Sequence, residues 1–185
     1  MTKTDSKAGY ILRLTLTLFL ITAIVAVLLG AVNAVTEQKI ADLKAEKTRA
    51  AMREVLLADE YIDGTCDTAD VKAVSIAKSG GNVVGSVIEV TPSGFGGAID
   101  MVVGVDLNGN VTGVSIISMS ETSGLGDNAK KPAFREQFKG QSGTLAVSKD
   151  GGAIDALTGA TITSRAVTRG VNTAIAAAAT AREAK

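Results

Sequence analysis

A long uninterrupted run of apolar residues dominates the start of the chain. Between Arg13 and Glu37 lie 23 consecutive residues without charge, most of them Leu, Ile, Val or Ala. A helix of that length spans about 35 Å, enough to cross a bilayer core with some tilt. The apolar region of a cleaved signal peptide usually covers only about 7–15 residues. The pattern therefore predicts a retained transmembrane helix over residues 14–36, in contact with membrane lipid and preceded by a short N-terminal segment, residues 1–13.

After the apolar run the pattern becomes that of a charged helix. Between Glu37 and Ala58, apolar residues recur unevenly at three-to-four spacing, with Lys and Glu on the other positions. This predicts a stalk helix that continues the membrane span. A polar stretch at 59–70 predicts a linker, so that stalk and linker together occupy residues 37–70 and the next domain occupies 71–185.

The remaining pattern is that of a compact domain with antiparallel hairpins. Asn-Gly at 108–109 between two apolar segments is a strong hairpin signal, and Ser-Gly-Gly-Asn at 79–82 is turn-like. A last segment, 164–181, has apolar residues at helical spacing and should pack on the sheet. The predicted fold class is α+β, with strands at 71–78, 83–91, 98–107, 111–119 and 144–147, a short helix at 132–138 and a loop at 149–154.

Composition and charge exclude several classes of function. The chain has no histidine and one cysteine, Cys66, so it can build neither a Ser-His-Asp triad nor a histidine metal site. We therefore predict no metal site and no catalytic residue in the chain itself. Its 19 basic and 19 acidic residues balance, which gives no positive field for nucleic acid. Redox chemistry would have to come from a bound organic cofactor or from another subunit.

The segment Asp155 to Ser164 is the most informative one. It reads Asp-Ala-Leu-Thr-Gly-Ala-Thr-Ile-Thr-Ser, a small-residue loop that leads into the last helix. Gly159 and Ala160 allow a ligand close to the backbone, and Thr163 or Ser164 can cap the helix. Free N–H groups and the helix dipole favour an anion such as phosphate. An ordinary helix start with incidental hydroxyl groups is the alternative reading of these residues alone.

Thr158-Gly159-Ala160-Thr161, followed by Ile162-Thr163, resembles the flavin-attachment motif of the FMN-binding domain family. The resemblance implies that a flavin transferase cleaves FAD and leaves FMN joined to Thr161 by a phosphoester. It also implies that the transferase reads Asp155, three positions before the tetrad. The residues expected around the phosphate are Leu157, Thr158, Gly159, Ala160, Thr163 and Ser164.

Two glycine-rich loops resemble further motifs of the same family. Ser93 to Gly97 reads Ser-Gly-Phe-Gly-Gly and resembles the loop that precedes a core strand. Ser120 to Gly126 resembles a Glu-Thr-Pro-Gly-Leu-Gly loop that lies along the flavin ring, with Ser123 in place of proline. The residues expected to line the ring are Glu121, Thr122, Gly124, Leu125 and Gly126.

The family includes the G subunit of Rnf-type complexes and the C subunit of Na⁺-translocating NADH:quinone oxidoreductase. The length of 185 residues is closer to the Rnf-type members. The resemblance implies an electron-transfer subunit of a membrane ferredoxin:NAD⁺ oxidoreductase coupled to Na⁺ or H⁺ translocation, with other subunits as its redox partners. The flavin domain is then expected outside the cytoplasmic membrane, with residues 1–13 in the cytoplasm. The alternatives are the quinone-reductase subunit and a membrane-anchored structural or sensory module.

Overall fold

A computed structural model describes residues 3–183, and a single helix takes up the first part of the chain. This helix, α1, runs over Lys3–Val55 and covers the predicted span and most of the predicted stalk. Within the described residues, it is the one helix long and apolar enough to cross a membrane, and its most apolar window is not buried by protein. The chain divides into two compact units, Met1–Ala45 and Glu46–Lys185, so the last turns of α1 belong to the second unit.

The second unit is built on an antiparallel sheet. The sheet has six strands in the order β5-β4-β3-β2-β1-β6. Short 3₁₀ helices and the helix α2 follow β5, and the long helix α3 precedes β6. The elements are β1 (Glu60–Thr65), β2 (Val71–Ser79), β3 (Asn82–Val90), β4 (Ile99–Asp106), β5 (Val111–Met119), α2 (Pro132–Arg135), α3 (Thr161–Thr180) and β6 (Arg182–Glu183).

The α+β class and both predicted hairpins are confirmed, but two details differ. Strand β1 lies inside the segment expected to be a linker and pairs with β2, from Glu60 opposite Lys78 to Gly64 opposite Val74. The prediction of a strand at 144–147 is wrong, because the structure has no strand there. The Leu145 N–H and carbonyl bond instead to the side-chain amide of Asn172, at 2.9 and 2.8 Å. A side chain on α3 thereby takes the place of a neighbouring strand.

Alternate side chains of a strand point to opposite faces of the sheet. Both faces are covered, so the central strands contribute to a core on each side. On one face, Ile88 of β3 and Val103 of β4 belong to the main core, together with Val167 and Val171 of α3. On the other face, a smaller core packs the end of α1 against the sheet, through Ala51, Met52, Val55, Val87 and Val102. The amphipathic C-terminal helix therefore packs on the sheet as predicted.

Candidate functional site

The segment 157–160 is a turn that leads directly into α3. The Ala160 N–H donates to the Leu157 carbonyl at 3.0 Å. Gly159 has a φ of 74°, in the left-handed region that favours glycine. The helix begins at Thr161, three residues earlier than the sequence predicts. Thr158 is exposed in the turn, and Thr161 is half-buried at the first position of the helix.

Thr163 and Ser164, which the sequence analysis assigns to helix capping, instead lie inside the first turn of α3. Both side chains are buried. The Ser164 hydroxyl accepts the Leu157 N–H at 2.9 Å and donates to the Ala160 carbonyl at 3.0 Å. The capping prediction is wrong, because Ala160 precedes the helix and offers no side-chain cap. Ser164 fixes the turn against the helix from the inside.

The Glu121 carboxylate joins the three motifs. Its Oε1 accepts the N–H groups of Phe95 at 2.8 Å and Gly96 at 3.1 Å. Its Oε2 accepts the Thr163 hydroxyl at 2.8 Å. One side chain therefore ties the 93–97 loop and the start of α3 to the 120–126 loop. Hydrogen bonds to an ionised carboxylate are stronger than those between neutral groups, so this junction stabilises the site.

The glycines of the two loops leave room for this junction. A Cβ added at Gly94 would overlap Oε1 of Glu121, and one added at Gly96 would overlap the Ser120 carbonyl oxygen. A Cβ at Gly126 would lie 2.7 Å from the other carboxylate oxygen of Glu121. Close approach to a carboxylate or to backbone thus explains the glycines at Gly94, Gly96 and Gly126, where a larger residue would overlap.

The three motifs surround one cleft, here called the main cleft, with a volume of about 410 Å³. Phe95, 69% exposed, and the exposed side chains of Leu125 and Ile162 give it an apolar part, while Thr161 lies at its polar end. The predicted site residues that line it are Glu121, Thr122, Leu125, Gly126, Gly159, Ala160, Thr161 and Thr163.

Four other predicted residues border a second cleft beside the first. They are Gly124, Asp155, Leu157 and Thr158, and Leu125 borders both clefts. The Asp155 side chain is exposed, while its backbone N–H donates to the Gln137 side chain at 2.7 Å. The structure thus holds the Asp155 backbone firmly and presents its carboxylate to solvent.

One charged residue of the main cleft, Lys149, was not predicted from the sequence. Its ammonium donates to the Thr161 hydroxyl at 3.0 Å. The next residue, Asp150, accepts hydrogen bonds on both carboxylate oxygens from Arg165 of α3, with Nε to Oδ2 at 2.7 Å. The Arg165 guanidinium holds the pKa of the Asp150 carboxyl below its usual value. No motif marks Lys149, and only the folded loop brings it to the attachment motif.

The main cleft fits a molecule with an anionic end and an apolar, planar end. By the geometry of a helix start, the first N–H groups of α3 have no partner within the helix, and no side chain caps them. With Lys149 beside them, they form a positive end suited to phosphate. The aromatic and aliphatic side chains of Phe95, Leu125 and Ile162 in the same cleft suit a ring. Within residues 3–183 as described, no His, Cys, Asp and Glu cluster could hold a metal ion.

Comparison with known proteins agrees with this reading of the cleft. The family model of the FMN-binding domain matches residues 94–176, which include all three motifs except Ser93 at the start of the first. The chain is 37% identical over 179 residues to the G subunit of the ion-translocating oxidoreductase complex of Yersinia pestis, and the match covers 86% of each chain. It is 34% identical over 189 residues to the G subunit of the Na(+)-translocating ferredoxin:NAD(+) oxidoreductase complex of Acetobacterium woodii, covering 89% of this chain and 90% of that one.

A solved structure shares the fold. The C subunit of the Na(+)-translocating NADH-quinone reductase from Parabacteroides distasonis matches with a TM-score of 0.51 at 21% identity, over 64% of this chain and 77% of that one. The fold and the cleft define a membrane-anchored protein with an FMN-binding domain. The chain belongs to the family of G subunits of ion-translocating oxidoreductase complexes.

Proposed function

We propose that this chain is the flavin-carrying electron-transfer subunit of a membrane ferredoxin:NAD⁺ oxidoreductase complex that translocates Na⁺ or H⁺. The observation that carries the proposal is that residues of all three motifs, Thr161 among them, line one cleft. Relatives with similar sequences over most of their length are named as subunits of such complexes. FMN, when bound, supplies a centre that exchanges electrons singly or in pairs. The other subunits of the complex would supply and remove the electrons.

We further propose that FMN is held covalently, through a phosphoester on Thr161. The hydroxyl lies at the start of α3, where a negative charge is favoured by the helix dipole. Thr161 is half-buried and lines the main cleft, which supports the placement of a phosphate beside its hydroxyl. The buried Ser164 hydroxyl accepts one backbone hydrogen bond and donates another, so we assign it the role of holding the turn.

The attachment is tested by removing the hydroxyl. Thr161→Ala and the isosteric Thr161→Val should abolish covalent flavin, because the ester oxygen is gone while the helix start is preserved. In-gel flavin fluorescence after denaturation measures this in full-length protein from cells that contain the flavin transferase. Thr144→Ala, at an exposed threonine outside the cleft, is the matched control and should load normally. Flavin that stays on either Thr161 variant after denaturation would show that the attachment site is elsewhere.

The exposed Asp155 carboxylate is proposed as a contact for the flavin transferase. Its side chain points to solvent beside the turn 157–160, and its backbone is held by Gln137. Asp155→Ala should therefore lower flavin loading while stability changes by only about half a kcal/mol. Loading equal to that of the unaltered chain, in the same gel assay, would remove Asp155 from the recognition site.

We propose that the flavin domain lies outside the cytoplasmic membrane, because a covalent bond matters most where no FMN pool can refill the site. Cys66, the one cysteine of the chain, gives the test and is half-buried. A membrane-impermeant maleimide should label Cys66 in intact cells, and broken cells supply the control for thiol reactivity. Labelling that requires cell breakage would place the domain in the cytoplasm instead.

A further inference from the structure

Lys149 has a position that the attachment motif does not explain. Its ammonium group lies 3.0 Å from the Thr161 hydroxyl oxygen. Of the described residues that line the main cleft, it alone carries a positive charge, and the carboxylate of Glu121 is already occupied by three donors. A cation is therefore placed at the one oxygen that the proposed attachment uses.

The loop that carries Lys149 is held against α3. Lys149 lies in the 3₁₀ helix Ser148–Asp150, and the next residue of the chain, Gly151, has a φ of 83°. The Ser148 N–H donates to the Ile154 carbonyl at 2.7 Å, which closes the loop. Asp150 then binds Arg165 of α3 through both carboxylate oxygens. The same helix thus fixes Thr161 at its start and, through Arg165, the loop that places Lys149 beside it.

The chemistry of the lysine limits what it can do there. An ammonium group has three donors and no acceptor, so Lys149 cannot take the proton of the Thr161 hydroxyl. During attachment, the threonine oxygen forms a bond to phosphorus as the bond from phosphorus to the departing AMP oxygen breaks. The hydroxyl proton must leave to a base supplied by the transferase. The product carries a negative phosphodiester next to the threonine oxygen, within reach of the ammonium.

We propose that Lys149 is the positioning residue for this phosphate, held at Thr161 by the Asp150–Arg165 pair. It binds the phosphate during transfer and remains its counter-charge afterwards. The start of α3 contributes N–H donors from the other side. This inference rests on the proposed covalent attachment at Thr161. It adds a residue outside the three motifs and assigns Arg165 the role of keeping Asp150 from competing for the lysine.

The first test measures the rate of covalent flavin incorporation by intact mass, in full-length protein made together with the transferase. Lys149→Gln should slow incorporation by about tenfold or more, since a hydrogen bond between charged groups is lost. Lys149→Arg should load within about threefold of the unaltered chain, because the charge is retained. Lys139→Gln, at an exposed lysine outside the main cleft, is the matched control.

Variants of the Asp150–Arg165 pair provide a second test. Arg165→Gln frees the Asp150 carboxylate, which should attract Lys149 away from Thr161 and slow loading. Adding Asp150→Asn to that variant removes the competing charge and should restore part of the rate. A merely structural role of the pair predicts the opposite, since the double variant would then load no better than the single one.

A third readout does not depend on loading rates. Acylation of lysines by an amine reagent, followed by peptide mass spectrometry, should modify Lys149 more slowly in flavin-loaded protein than in Thr161→Ala. Lys139 should react equally in both. Equal reactivity of Lys149 in the two proteins, or incorporation into Lys149→Gln at the rate of the unaltered chain, would overturn the inference while Thr161 remains the attachment site. Covalent flavin on Thr161→Ala would instead overturn the attachment proposal itself.

Discussion

The end of α1 and the start of α3 lie on opposite faces of the same sheet, and their backbone groups are satisfied in different ways. At the end of α1, the Thr112 hydroxyl donates to the Val55 carbonyl at 2.5 Å and the Tyr61 hydroxyl donates to the Leu56 carbonyl at 2.6 Å. At the start of α3, no side chain caps the helix, and the first turn borders the main cleft.

This difference separates a structural joint from a binding site. Every helix leaves unpaired N–H groups at its start and unpaired carbonyls at its end. Where the fold itself supplies partners, as at the carbonyls of Val55 and Leu56, those groups are not free for a ligand. Where it supplies none, as at Thr161, the terminus retains binding capacity for a ligand. The donors that the fold leaves free thus mark the site more clearly than the size of the cleft does.

The largest effect is expected from Glu121, which organises the start of α3. Glu121→Ala leaves two backbone N–H groups and the Thr163 hydroxyl without their acceptor. Because water replaces part of the loss, we expect a destabilisation of about 2–3 kcal/mol. The thermal midpoint of full-length protein in detergent measures this, and flavin loading should fall with it. Glu136→Ala, at an exposed carboxylate, is the control, and an equal midpoint in the two variants would contradict the role of Glu121.

A smaller effect is expected at the joint of α1 with the sheet. A Cβ at Gly113 would lie 3.0 Å from the Cα of Val55 and 3.2 Å from its carbonyl oxygen. Gly113→Val should therefore push the helix end away and cost about 1–3 kcal/mol, with Gly113→Ala costing less. Flavin loading of the folded protein should stay normal, because this joint is not part of the cleft. If Gly113→Val lost as much flavin loading as Glu121→Ala, the α1 joint would not be separate from the binding site.

The smallest effect concerns the pH dependence of the same joint. Burial tends to raise the pKa of Glu54, but hydrogen bonds from Ser115 and Arg135 and the positive charge of Arg135 outweigh burial, so the pKa lies below its usual value of 4.5. A carboxylate of this kind stabilises the folded state above its unfolded pKa, and the contribution is lost as the pH falls through the folded pKa. The Glu54 side chain is 51% exposed, which limits the contribution to under about 1 kcal/mol.

For Glu54→Gln we expect a thermal unfolding midpoint slightly below that of the unaltered chain. The difference should be constant near neutral pH and disappear in acid. Thermal unfolding of full-length protein from pH 7 to about pH 3 measures it. Ser115→Ala removes one of the donors, at 2.6 Å from the carboxylate, and should reduce the pH dependence without removing it. A midpoint difference that grows as the pH falls would contradict the sign of the shift.

Much of the fold could be read from the sequence because its signals are local. The span of uncharged residues predicts a helix by length alone, and the Asn-Gly turn at 108–109 predicts the hairpin that the structure contains. Strand β1 was missed because Glu60–Thr65 contains charged residues and glycine, and its burial does not follow a clean alternation. Its place in the sheet depends on pairing with β2, the next strand along the chain, and with β6 at the far end of the domain.

The site was predictable only where a motif carries it. The motif predicts Thr161 as the attachment residue; Thr161 lines the main cleft, and its attachment to flavin stays a prediction. The inward role of Ser164 was missed because a helix start three residues upstream of the prediction changes which groups the hydroxyl can reach. Lys149 was missed because it approaches Thr161 through the folded loop 148–154, and no local pattern encodes this contact between side chains.

The Glu121 junction also bears on the order of events during maturation. It joins Glu121 to groups 26 and 25 residues before it and to one 42 residues after it. Contacts between residues so far apart in the chain form only when the intervening elements have folded. A partly folded chain displays the residues of the attachment motif but has no cleft beside them. Attachment that requires the cleft would therefore come after folding, and the flavin content of a preparation would then report the fraction of chains that folded correctly.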